Sequence, residues 1–113
     1  MAWGLRFLLP LTMAAGLAPA AMAEILGDAT AGAKIFARDC AQCHMVGPEA
    51  TNRVGPQLNR VYGRRAASVD GFTYSKSMTR MGNDGLTWTV ETLDAYLENP
   101  RALVSATRMS YRG

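Results

Sequence analysis

Three observations predict a small all-α domain whose helices are joined by long loops. No stretch sustains the apolar and polar alternation of a strand. Two segments carry helical periodicity, with a capping residue at one end and a breaker at the other. Between them, Met45 to Asp70 is dense in turn signals: Gly47-Pro48, Gly55-Pro56 and Gly63, with Gly71 just beyond. A loop this long is uncommon in a compact domain unless it wraps something rigid.

The 113 residues allow one domain. With 49% hydrophobic and 19% charged residues, neither a disordered polar chain nor a multi-span membrane protein fits. The apolar content is concentrated at the start. Arg6 is the only charge before Glu24, and the Leu- and Ala-rich run Phe7 to Ala23 closes on Ala21-Met22-Ala23, the small-x-small pattern of a signal peptidase site. Pro10 and Pro19 interrupt the run, which sits at the lower limit for spanning a bilayer. Residues 1–23 are therefore expected to be a cleaved secretory signal peptide, and 24–113 the mature domain, periplasmic and without a stable membrane anchor. Of the 12 Lys plus Arg only Arg6 is lost, so against 9 Asp plus Glu the mature net charge is +2. That excludes a nucleic-acid footprint, which needs clustered positive charge.

Asp28 is placed to cap a helix over Ala29 to Gln42, with Asp28, Gly32, Phe36 and Cys40 on one face. Gly32 costs about 1 kcal/mol relative to alanine there. It marks either a close approach by another element or an incidental surface position. Thr73 to Arg80 predicts a short helix before a Gly82-Asn83-Asp84-Gly85 turn. Val90, Leu93, Tyr96 and Leu97 predict a better one, capped by Thr87 or Thr89 and stopped by Pro100. Periodicity fades from Arg101 onward.

Cys40-Ala41-Gln42-Cys43-His44 carries the chemistry, because C-x-x-C-H is the attachment signature of c-type haem. Positions i and i+3 share one side of a helix, so two thiols can each add to one vinyl group of the same porphyrin. The adjacent imidazole then lies under the iron. A disulfide over so short a loop would constrain the unfolded chain very little. A thioredoxin-like pair wants a βαβ context, and a zinc site wants four ligands, whereas the chain has two cysteines and one histidine. One haem c held through Cys40 and Cys43, with His44 on the iron, is the expectation. A methionine opposite the histidine would suit an electron carrier. Met45 is too close to His44 to reach the other face, while Met78, Met81 and Met109 all remain open.

The later segments resemble a class I cytochrome c of the mitochondrial and bacterial c2 type over residues 27–113. They are Gly27-Asp28 to His44, Val54-Gly55-Pro56-Gln57-Leu58, Tyr62-Gly63-Arg64-Arg65, Gly71-Phe72-Thr73-Tyr74, Leu86-Thr87-Trp88, Tyr96-Leu97-Glu98-Asn99-Pro100 and Thr107-Arg108-Met109. The resemblance implies a cytochrome c-like all-α fold around one haem, with Met109 as distal ligand. It also implies that the Pro56 carbonyl accepts the ring N–H of His44. Arg64, Tyr74 and Trp88 resemble the groups that satisfy the haem propionates, and Tyr96 and Thr107 the neighbours of the methionine loop.

Three departures stand against the family pattern. Ser105-Ala106 replaces the usual Pro-Gly, so a positive φ at Ala106 would cost about 1–2 kcal/mol. Met78 stands where a polar residue is usual. The chain stops at Gly113, where the family continues into a C-terminal helix that packs on the Gly32 and Phe36 face; that helix is expected to be missing and the face bare.

The function implied is a periplasmic one-electron carrier, not an enzyme. Its partners would be redox proteins in respiration or photosynthesis, such as a membrane cytochrome complex, an oxidase or a reaction centre. Arg53, Arg60, Arg65, Arg101, Arg108 and Arg112 are candidates for a basic rim that steers acidic partners. The rival is a haem peroxidase-like enzyme or gas-binding sensor with an open or weak sixth position. Such distal chemistry would want an acid-base group, and there is no second histidine.

Overall fold

A computed structural model describes Gly16 and residues 27–113. Gly16 apart, the expected signal peptide lies outside the described residues. Among the described residues four α-helices follow in order: α1 (Ala29–Ile35), α2 (Lys76–Asn83), α3 (Val90–Glu98) and α4 (Pro100–Leu103). Among the described residues the only sheet-like pairing is one antiparallel bridge from Arg65 to Thr87, so the all-α class holds.

Asp28 caps α1 as expected, its carboxylate accepting from the Ala31 N–H at 3.0 Å. The expected helix to Gln42 changes character after Ile35. Phe36–Cys40 form a π turn, in which the Ala41 N–H reaches the Phe36 carbonyl at 2.9 Å. The wider turn takes Cys40 out of strict α register with Asp28, Gly32 and Phe36. No residue of α1 is buried, and a Cβ on Gly32 would meet nothing within 4 Å. Within residues 27–113 nothing packs on Gly32.

α2 begins later than expected, because Ser75 caps it by accepting from the Met78 N–H at 3.1 Å. It also runs through Gly82-Asn83, which the sequence assigns to a turn. Gly82 is there because the helix lies against the Ala66 carbonyl, which a Cβ would strike. The turn contracts to Asp84-Gly85, where Gly85 takes φ +100°. Thr89 caps α3 in a reciprocal box with Thr92, whose hydroxyl accepts from the Thr89 N–H at 2.8 Å. Pro100 does not merely stop α3. After Asn99 turns extended it opens α4, where a missing N–H costs nothing.

The core joins α2, α3 and α4 through Ala66, Met78, Trp88, Tyr96 and Val104, with Leu93, Leu103, Met81 and Met109 packed against it. All of it lies beyond residue 60. From 27 to 60 the only buried residue is Gly55.

Candidate functional site

The Cys40 to His44 stretch turns directly off the π segment. The N–H groups of Cys43 and His44 both donate to the Cys40 carbonyl at 3.0 Å, a helical turn that presents two thiols and an imidazole together. The thiols are half-buried and not joined to each other. Burial pushes the free Cys40 thiol pKa up, with Asp39 and Cys43 adding to the effect. Asp39 itself is held below the usual carboxylate range by hydrogen bonds from Arg38, the only ion pair among the described residues.

Residues 53–58 run alongside this turn. The Gly55 N–H donates to the Cys43 carbonyl at 2.9 Å and the Leu58 N–H to the Met45 carbonyl at 3.0 Å. Between them the Pro56 carbonyl lies 2.7 Å from His44 Nδ1. A carbonyl only accepts, so Nδ1 carries the proton and Nε2 keeps its lone pair for a metal. Gly55 makes the approach possible: a Cβ there would lie 2.7 Å from Nδ1 and 2.8 Å from Nε2. This cradle, the pinned tautomer and the paired thiols fit a covalently bound haem with His44 toward the iron.

Met109 is half-buried and packs against the core. Its N–H donates to Thr107 Oγ1 at 3.3 Å, and the buried Thr107 hydroxyl pairs with the Tyr96 hydroxyl at 2.5 Å. From outside, Arg108 donates to the Thr73 carbonyl. The loop is thus held by two anchors immediately before the methionine. Ala106 needs no left-handed φ, since among the described non-glycine residues only Arg60 and Ala67 have one. The Thr107 N–H closes the Ser105-Ala106 turn onto the Val104 carbonyl at 3.0 Å, and the strain expected of Ala106 does not arise. Met78 sits in the core and Met81 beside it, both on α2. Burial pushes the Tyr96 phenol pKa up, and the Thr107 bond pulls it partly back.

Trp88 is buried with its ring 5.0 Å from that of Tyr96. Tyr74 accepts from the Val69 N–H at 3.1 Å, which leaves its own O–H proton to give. The Arg64 guanidinium donates to the carbonyls of Asn59 and Gln57 at 2.9 and 3.2 Å. It therefore braces the loop that carries Pro56, a contact the sequence does not announce. Asn59 does the same, exchanging two 2.8 Å bonds with the Gly47 backbone. The six arginines named for a basic rim are all exposed, and none has a carboxylate partner among the described residues.

The Cytochrome c family model matches residues 29–106. Cytochrome c2 of Afifella marina is 48% identical over 87 residues, covering 77% of this chain and 70% of that protein. Cytochrome c2 of Rhodomicrobium vannielii is 46% identical over 99 residues, covering 88% and 76%. The solved structure of cytochrome c2 from Rhodospirillum centenum superposes with a TM-score of 0.73 at 36% identity, covering 77% of this chain and 85% of its own.

Proposed function

The chain belongs to the cytochrome c family, a c-type haem electron carrier rather than an enzyme, and on that premise we propose that it works in the periplasm with His44 and Met109 as the residues that would hold the iron. The observation that carries this reading is the His44 ring, pinned through Nδ1 to Pro56 so that Nε2 is the free donor. When bound, the haem supplies one iron that alternates between ferric and ferrous states.

Every other part of the work falls to the chain. Cys40 and Cys43 tether the porphyrin, which keeps the cofactor from being lost on reduction or oxidation. Pro56 fixes the imidazole and raises its donor strength. Tyr96 and Thr107 hold the Met109 loop, so that the thioether is presented the same way in both oxidation states. Little reorganisation then accompanies the electron. Trp88 packs on Tyr96, whose hydroxyl holds that loop, and Arg64, Tyr74 and Trp88 would be the donors to the propionates.

Partner docking in this reading uses the unpaired arginines together with Val54, 79% exposed beside the buried Gly55. Acidic redox proteins would be drawn there at moderate salt. Export is supported by the apolar run ending at Ala21-Met22-Ala23. No helix among the described residues is long and apolar enough to cross a membrane.

The test is the visible spectrum of the oxidised protein. A weak far-red band from methionine sulfur on ferric iron is expected in the wild type and absent from Met109→Ala. A wild type without the band, or a variant that keeps it, overturns the assignment.

A further inference from the structure

The Pro56 carbonyl and the Gln57 N–H belong to one planar peptide group. Its oxygen takes the His44 Nδ1 proton at 2.7 Å, and its N–H donates to Asn52 Oδ1 at 2.9 Å. Asn52 Nδ2 in turn donates to the Asp70 carbonyl at 3.0 Å. One partner of the Asn52 amide can only donate and the other can only accept, so its orientation is set. The result is two amides in series with every N–H pointing the same way, from the imidazole to Asp70.

We propose that Asn52 is a positioning residue that tunes the proximal ligand through the Pro56–Gln57 peptide. Hydrogen bonds in such a chain polarise one another. An acceptor on the Gln57 N–H makes the Pro56 oxygen more negative, which draws harder on the His44 proton. The imidazole becomes a stronger donor, and the ferric state gains. The inference rests on His44 as the iron's ligand and goes beyond it, because the Asn52 amide hydrogen-bonds to Gln57 and Asp70 and to neither the histidine nor the thiols.

The segment has other supports: Gly55 on Cys43, Leu58 on Met45 and Arg64 on Gln57 hold it without Asn52. Variants at 52 can therefore change the polarisation while leaving Pro56 in place. The experiment measures midpoint potentials of the haem-loaded wild type, Asn52→Leu, Asn52→Asp and Thr51→Asp. Leucine removes the acceptor. Aspartate keeps it and makes it anionic, hence stronger. The exposed Thr51→Asp adds the same charge one residue away and off the chain.

The potential is expected to rise in Asn52→Leu and to fall in Asn52→Asp below both the wild type and Thr51→Asp. Solvent exchange of the His44 ring N–H should quicken in the leucine variant. An unchanged potential in Asn52→Leu, or an Asn52→Asp potential no lower than that of Thr51→Asp, overturns the proposal. If Asn52→Leu fails to load haem, the two aspartate variants decide alone. A wild type lacking the far-red band would instead speak against Met109 as a ligand and leave the His44 chain to be judged by the potentials, which keeps the two failures apart.

Discussion

Residues 27–60 and residues 61–109 are held together by different physics. The second region has a hydrophobic core, in which Ala66 and Val104 are fully buried and Met78, Trp88 and Tyr96 nearly so. The first region buries only Gly55 and is organised by directed hydrogen bonds: His44 to Pro56, Gln57 to Asn52, and Asn59 to Gly47. Such bonds contribute only about 0.5–1.5 kcal/mol each, too little to order these 34 residues by themselves. The lesson is that this region depends on the cofactor tethered through Cys40 and Cys43, whereas its neighbour packs on its own side chains.

The largest effect should follow from removing the tether. Cys40→Ser with Cys43→Ser should forfeit most of the stability of a domain this size, of order 5–15 kcal/mol. Amide exchange would show 29–60 unprotected while amides near Trp88 and Tyr96 keep residual protection. Equal protection in both regions would erase the distinction.

Glycines give a finer contrast. Gly55→Ala drives a methyl into the His44 ring and should cost about 1–3 kcal/mol. Gly32→Ala, on an open helix face, should gain about 0.5–1 kcal/mol. Denaturant midpoints moving in opposite directions check both.

A smaller effect belongs to the packed region. Tyr96→Phe removes the bond to Thr107 and should cost about 0.5–1.5 kcal/mol near neutral pH. Its pH dependence has a definite sign. Burial holds the folded phenol pKa above its ordinary value of about 10. Its contribution is therefore complete below that value and is lost as pH rises through the raised one. Stability should fall above about pH 10 more steeply in the wild type than in Tyr96→Phe.

How much of this the sequence shows depends on the range of each interaction. Asp28 and Thr89 are legible as caps because capping is local, and Cys40-Ala41-Gln42-Cys43-His44 because its chemistry is contiguous. The resemblance supplied Pro56 on His44, and the geometry agrees. Three features were out of reach. The π turn at Phe36–Cys40 follows no distinct pattern, and Gly82 reads as a turn residue until the Ala66 carbonyl is seen beside it. Asn52 carries no local signal at all, since its partners Gln57 and Asp70 become neighbours only once the long loop has folded.

The most direct test of a closed, six-coordinate electron carrier is to expose the reduced wild-type protein to carbon monoxide and follow the visible spectrum. On the proposed Met109 ligation, with the loop held by Thr107 and Tyr96, the spectrum should stay unchanged at neutral pH. Prompt formation of a carbon monoxide adduct would contradict the account, since it would mean a sixth position open to small ligands.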